Sequence, residues 1–364
     1  MTRREFGRVT LGALPLATLA ATLQAQTRGR KPNSRIGGVQ IGVITSSFGA
    51  LPAPQIIPAL LSLGINEVEL QPNHAEALAG APLPAPNANV PAPTTATLNA
   101  DGLLPRCANQ QMVVTPPLSS ANTGRGGRGA AAPEQEAAQE RLNAWRAATT
   151  PQTWKVVRKQ FDDAGIDVRI LWYSLGFQGT PTSDEEIDYA FRMAKGLGVK
   201  VMSGSSTIPI APRIARAAEK YKMLWGGHTQ DNVNDPDQFV SPEAYDRLLA
   251  LSPNFRICLD IGYFTACGHD ALAFVTQHHD RISDIHLKDK KRAASLGGAV
   301  TNNALNNYPW GQGDTPIREV LQLLKKNKYD IPVQIEYEYG CRTTADAVTE
   351  VGRCYAYGRQ CLTS

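Results

Sequence analysis

Three residues of metal-ligating type close short apolar runs: Asp260 follows Ile257-Cys258-Leu259, His286 follows Ile282-Ser283-Asp284-Ile285, and Glu336 follows Val333-Gln334-Ile335. The runs read as buried strands separated by helical patterns. Polar residues at the C-terminal ends of successive parallel strands converge on one face, which in a (β/α)8 barrel is where active sites lie. A carboxylate, an imidazole and a second carboxylate form a set that suits a divalent metal. Glu338 shares a strand face with Glu336 and is a rival ligand, because side chains alternate along a strand. Lys288, two after His286, also faces inward. There it could stabilise developing negative charge or touch substrate oxygens, or it could be taken up in a salt bridge with Asp289 or Asp260. Glu69 and His74 follow the second strand, and Glu69 is either a pocket wall or an acceptor for a metal-bound histidine. Trp172, Tyr173 and Trp310 could offer aromatic faces to the C–H surface of a substrate or pack in the core.

The elements needed to position these residues alternate regularly. Strands are expected at Val39–Ile44, Asn66–Leu70, Asp167–Trp172, Val199–Met202, Lys222–Trp225, Phe255–Leu259, Ile282–Ile285 and Val333–Ile335, each followed by a helical pattern. One such helix runs over 183–197, with Ser183 as its cap and Glu185 and Glu186 in its first turn. Alternating β and α elements imply a parallel sheet with right-handed crossovers. Eight repeats favour a closed TIM barrel over an open doubly wound sheet. No GxGxxG follows the first strand, which argues against a dinucleotide fold. Residues 79–132 interrupt the pattern with Ala, Pro, Asn, Thr and Gly, including the Arg/Gly tract at 123–129. They read as a long irregular insertion after strand 2, lacking the apolar content to offset its ordering entropy. His269, His278 and His279 are expected on the barrel exterior, facing solvent.

The chain has 364 residues, 42% of them hydrophobic, and a formal net charge of +4. That is enough for a large core, and the absence of a Lys/Arg-rich stripe argues against nucleic acid as a partner. Arg3, Arg4 and Arg8 against Glu5 leave +2 in the first 26 residues. Thr2-Arg3-Arg4-Glu5-Phe6 followed by an apolar stretch to about Ala21 matches a twin-arginine export signal, too short and weakly apolar for a comfortable membrane span. The expectation is a signal peptide over 1–26, a linker over 27–36, a barrel over 37–364 and an exported, periplasmic destination with no stable membrane span. The six cysteines show no metal-ligand spacing. Cys258 reads as a small buried hydrophobe, and Cys341, Cys354 and Cys361 lie close enough in sequence for a local disulfide.

Several stretches together carry a family resemblance: Gly227-His228-Thr229, Leu259-Asp260-Ile261-Gly262, His286-Leu287-Lys288-Asp289, Trp310-Gly311-Gln312-Gly313-Asp314 and Ile335-Glu336-Tyr337-Glu338-Tyr339. In this order they resemble the sugar phosphate isomerase/epimerase family of xylose isomerase-like TIM barrels, nearest an exported twin-arginine subgroup. The resemblance implies one divalent metal, manganese first, with magnesium, cobalt or zinc as alternatives. It would be held after the fifth to eighth strands, and three ligands carry over to Asp260, His286 and Glu336. The fourth does not: the fifth-strand glutamate position aligns with Gly226. His228, two residues on, matches a second histidine of the subgroup and could replace the missing group as ligand or acid/base, or be an ordinary capping or core histidine. Tyr263 stands where the subgroup usually has histidine.

The implied chemistry is proton abstraction next to a carbonyl of a small sugar, giving isomerisation or epimerisation, with Glu336 as ligand and base. A lyase or hydratase acting on a keto-sugar or keto-glycoside needs only one such base and is the enzymatic alternative. A sugar-binding barrel without catalysis is the alternative of another class. No Gly-rich phosphate loop is present. An oligomer is compatible with the sequence.

Overall fold

The computed structural model describes residues 31–83, 133–177, 182–292, 307–339 and 344–364. The expected signal peptide, the Arg/Gly tract, most of the insertion, Cys107 and Cys341 lie outside the described residues. Residues from Pro32 onward form one unit.

The described strands are β1 (Arg35–Ile36), β2 (Val39–Ile44), β3 (Glu67–Leu70), β4 (Asp167–Trp172), β5 (Val201–Gly204), β6 (Leu224–His228), β7 (Phe255–Asp260), β8 (Ile282–Leu287) and β9 (Val333–Ile335). From β2 to β9 each strand pairs in parallel with the next, and β9 returns to β2 through Ile41–Val333 and Val43–Ile335. The sheet is therefore a closed eight-stranded parallel barrel ringed by helices, the (β/α)8 architecture expected from the alternation. Each barrel strand begins and ends within about three residues of its expected limits, the scatter normal for element ends.

Local chemistry sets the helix ends. Ser183 accepts the Glu186 N–H at 3.1 Å, and the helix Asp184–Leu197 stops at Gly198, whose φ of 75° is left-handed. The expected linker ends early. Gly37 and Gly38 turn the chain at positive φ, so that Arg35 and Ile36 pair antiparallel with Gln40 and Val39. Two short helices were not foreseen: Pro72–Leu78, and Ile261–Ala266, which Asp260 caps.

Alternation along β6 separates core from site. Trp225 packs on Phe239 and Phe255, and a Cβ at Gly227 would lie 2.5 Å from Leu248, so both positions face the helices. Gly226 and His228 face the barrel interior. A register shift at Ile257/Cys258 sets Cys258 opposite Asp284 and Asp260 opposite His286, so two layers of polar side chains stack inside the barrel. On the exterior, His279 is exposed and stacks on Tyr329, but His269 and His278 are half-buried against Phe264 and Phe274. The solvent-facing expectation holds for His279 alone. Cys354 and Cys361 are free thiols, so no disulfide joins them. Among the described residues, no helix is long and apolar enough to cross a membrane.

Candidate metal centre at the mouth of the barrel

His228, Asp260, His286 and Glu336 come from the ends of β6, β7, β8 and the residue after β9. All four are buried, and one donor atom from each lies within 4.8 Å of the others. His286 Nδ1 is 2.9 Å from Glu336 Oε2. His228 Nε2 is 3.7 Å from Asp260 Oδ2 and 4.0 Å from Glu336 Oε2. Asp260 is held from two sides: its Oδ1 accepts the Tyr263 N–H at 2.9 Å, and its own N–H donates to Thr229 Oγ1 at 3.0 Å. Its Oδ2 is left to face the cluster. Trp172 walls the site, its ring 4.7 Å from that of His228 and 5.5 Å from that of His286.

Lys288 is part of the same group. Its ammonium lies 3.0 Å from Asp260 Oδ2, 3.1 Å from Glu336 Oε2 and 2.9 Å from Glu338 Oε2. Of its two expected salt-bridge partners it takes Asp260. Asp289 instead accepts the N–H groups of Gly311, Gly313 and Thr315, which is what the Trp310-to-Thr315 motif is built around. Tyr263 presents its ring 4.0 Å from the Lys288 ammonium and 4.8 Å from that of Lys290. Tyr263 is thus a cation–π partner for two lysines.

Beneath this layer, His286 Nε2 meets Glu69 Oε2 at 2.6 Å and Asp284 Oδ2 at 3.5 Å. Ser203 donates to the other Glu69 oxygen. The Cys258 thiol donates to Asp284 Oδ2 at 3.0 Å. Cys258 is buried with Ile44 and Trp172, as expected of a small hydrophobe, but it also makes this polar contact. Glu69 faces Nε2 of His286 and Glu336 faces Nδ1, so a ligand role for Nδ1 would require it to give up its proton while Glu69 accepts from Nε2. Asp284 and Cys258 were not anticipated. Asp284 sits two before His286, so alternation already placed it on the inward face.

Burial and charge set the protonation states. Burial pushes Asp260 up to about 6 despite Lys288. Burial opposes the charge of His286, but Cys258, Glu69 and Glu336 outweigh it and hold the imidazolium well above its usual range. Burial, with the charge on His286 next, drives His228 well below its range, so it is neutral. Burial would raise Glu336, yet Lys288 and His286 keep it ionised. Burial also opposes the charge of Lys288, which Asp260, Glu336 and Glu338 hold in place.

The donor set fits a divalent metal. Both ring nitrogens of His228 are buried without a hydrogen-bond partner, a deficit that costs about 1–3 kcal/mol unless a ligand takes the lone pair. Two imidazoles and two carboxylates are the chemistry such an ion needs. Gly226 offers no side chain, and a Cβ there would fall 2.6 Å from Ser283 Oγ and 3.3 Å from Cys258 Cβ. A longer side chain there would not fit without shifting Ser283, and His228 is the residue of β6 whose side chain lies among the other three donors.

The remaining candidates lie outside the cluster. Trp310 packs on Tyr357 of the last helix, 6.2 Å between rings. Tyr173 packs beside Tyr189 in the core. His74 Nδ1 is 2.8 Å from Thr45 Oγ1, and burial pushes the ring down to about 4.

A family model described as the xylose isomerase-like TIM barrel matches residues 129–355. The chain belongs to this family. Among solved structures, it is similar to the probable 3-DHS dehydratase AsbF of Bacillus anthracis, at 12% identity and TM-score 0.55, covering 88% of this chain and 99% of that one. A xylose isomerase domain protein of Alicyclobacillus acidocaldarius subsp. acidocaldarius matches at 12% identity and TM-score 0.54, over 90% and 100% of the two chains. The IOLI protein, solved with a bound zinc atom, matches at 11% identity and TM-score 0.54, over 88% and 98%. Such identities show a shared fold. No curated protein sequence matches.

Proposed function

We propose that the chain is a metal-dependent enzyme that removes a proton next to the carbonyl of a small sugar and so isomerises or epimerises it. The observation that carries this reading is the four-donor cluster at the barrel mouth, with the unpartnered imidazole of His228 completing it. Family membership supports it, as does the zinc atom held by the IOLI barrel. His228, Asp260, His286 and Glu336 would hold the metal. Two imidazoles with two carboxylates suit manganese or zinc before magnesium. When bound, the metal supplies an electrophile for the carbonyl and neighbouring hydroxyl oxygens.

The chain's own groups do the rest. Glu336, held ionised, takes the proton from the carbon beside the carbonyl, and the electron pair of that bond moves toward the carbonyl oxygen. Lys288 places an ammonium where negative charge develops on oxygen. Return of the proton to the neighbouring carbon, with the hydroxyl proton passing to the former carbonyl oxygen, gives the isomer; the epimer requires a second donor on the opposite face, a role for which His228 is the candidate. Glu69 fixes His286, and Trp172 provides an aromatic wall for the C–H face of a sugar. Glu338 holds Lys288 in position.

One observation favours a second reading. Gly226 has no side chain where the family resemblance expects the second of two carboxylates on opposite faces of the substrate. A single base suffices for elimination from a keto-sugar, so a lyase or dehydratase on the same barrel is the alternative. Incubation with a panel of keto-sugars in D2O separates the readings. The isomerase reading predicts deuterium in recovered substrate and in an isomer of equal mass. Loss of water or an alcohol would favour the lyase, and no exchange with any keto-sugar would contradict both. Glu336→Gln is expected to abolish the exchange; a variant that retains full activity and full metal binding sinks the assignment of Glu336.

Export by the twin-arginine route is also proposed, on Arg3 and Arg4. Fractionation is expected to place a shortened chain in the periplasm, and a full-length cytoplasmic chain contradicts it.

A further inference from the structure

Lys288 and a divalent ion have claims on the same two oxygens. The ammonium is 3.0 Å from Asp260 Oδ2 and 3.1 Å from Glu336 Oε2, and these are the atoms that the two carboxylates turn toward His228. The third partner of Lys288, Glu338 Oε2 at 2.9 Å, is outside the four-donor set. Three buried carboxylates therefore converge on one buried ammonium, and only two of them belong to the proposed metal centre. Glu336 Oε2 already has His286 Nδ1 at 2.9 Å, and a divalent ion at both oxygens would add charge a few ångströms from the ammonium, where like charges in a poorly solvated site are weakly screened. Glu338, whose Oε2 also accepts from Asn307 Nδ2 at 3.4 Å, is the carboxylate to which the ammonium can withdraw. The face of Tyr263, 4.0 Å away, accompanies it.

We propose that Lys288 is a tethered competitor of the metal: it neutralises Asp260 and Glu336, gives up both to an arriving divalent ion and retreats to Glu338. The affinity of the centre is then set by the strength of two internal ion pairs as well as by its four donors. A residue that reads as a substrate-binding lysine also acts as a cation placeholder, which keeps three buried carboxylates from repelling one another before the metal arrives. The inference rests on the metal centre proposed above.

Calorimetric titration of chelator-treated protein with Mn2+ and Zn2+ tests it, using the full chain. Lys288→Met, which keeps the length and loses the charge, is expected to bind either ion about tenfold or more tightly, as removal of a nearby like charge should. Lys288→Arg keeps the charge and is expected to bind no more tightly than the wild type. Glu338→Gln removes the retreat and is expected to weaken binding. In the Lys288→Met background the same Glu338→Gln change should have no effect, which separates this role from direct ligation by Glu338. Thermal melting of the metal-free Lys288→Met protein is expected to fall below wild type, and Mn2+ is expected to raise it by more than it raises wild type. Equal or weaker metal binding by Lys288→Met overturns the inference while wild-type binding leaves the metal centre standing. If neither wild type nor Lys288→Met binds a divalent ion, the metal centre fails and the competitor fails with it.

Discussion

Two buried charge clusters in this molecule behave in opposite ways. Glu76 and Arg146 join the helices Pro72–Leu78 and Pro133–Ala148, with both side chains fully buried. Glu76 Oε1 accepts from Arg146 Nε and from the Tyr189 hydroxyl, each at 2.7 Å, and Oε2 accepts from Arg146 Nη2 at 3.1 Å. One anion faces one cation in a bidentate geometry, with a neutral donor completing the set. At the barrel mouth, three carboxylates crowd one ammonium, and a neutral imidazole has neither nitrogen engaged. The first cluster is complete as it stands and ties the helix that follows the insertion to the barrel. The second sets three carboxylates against one ammonium and the His286 imidazolium and leaves a spare lone pair on His228, a set that would suit an added cation.

The contrast can be broken at either end. Arg146→Ala strands a buried carboxylate and is expected to lower the unfolding free energy by about 3–5 kcal/mol. Urea unfolding measures that loss, and metal titration of the folded fraction should give an unchanged affinity. A parallel drop in affinity would mean that the two clusters are coupled, against the division drawn here.

Glu67 tests the same logic at the opposite end of the barrel. Burial pushes it up from 4.5 to about 7, with Arg169 at 4.0 Å and the Gln334 amide at 3.1 Å working against the shift. Its folded-state value is raised, so the native protein holds this proton where the unfolded chain has lost it. Its favourable contribution is complete below about pH 4.5 and disappears as pH rises through 7. The loss is about 3 kcal/mol for a shift of this size. Glu67→Gln should flatten stability across that window, as followed by denaturant melts from pH 4 to 8. An unaltered slope would mean that Glu67 ionises normally.

The smallest effect concerns the carboxylate under His286. Glu69→Gln keeps the shape but weakens the hold on the Nε2 proton, and is expected to reduce metal affinity about tenfold to a hundredfold. Competition against a fluorescent chelator resolves that range. No change would show that Ser203, Asp284 and packing alone orient the imidazole.

Much of this was readable from residue order. Apolar runs ending in Asp260, His286 and Glu336 revealed the barrel and the convergence of those three side chains, because period-two alternation in a buried parallel strand leaves few other positions for polar residues. Glu69 as an acceptor followed from the needs of a metal-bound histidine. The sequence could not show which long-range partners close each pair. Lys288 had Asp289 as a chain neighbour, yet the glycine turn from Gly311 to Gly313 captured that carboxylate and left Lys288 to Asp260, Glu336 and Glu338. The pairing of Glu76 with Arg146 spans 70 residues and an insertion, so no local pattern announces it. By residue type Trp310 could have been a substrate platform or a core residue, and its ring packs on Tyr357. Cys258 looked apolar by its strand, and only the register shift that sets it opposite Asp284 reveals its polar role.

The central claim is that His228, Asp260, His286 and Glu336 form one metal centre. Elemental analysis of the purified wild-type protein, beside His286→Ala, tests it most directly. The account predicts close to one divalent ion per wild-type chain and a loss of affinity on the order of a thousandfold in the variant, since the residue gives a ligand atom and organises its neighbours. A well-folded wild-type protein without stoichiometric metal, unaffected by His286→Ala in sugar binding, would contradict it and mark the barrel as a sugar-binding protein.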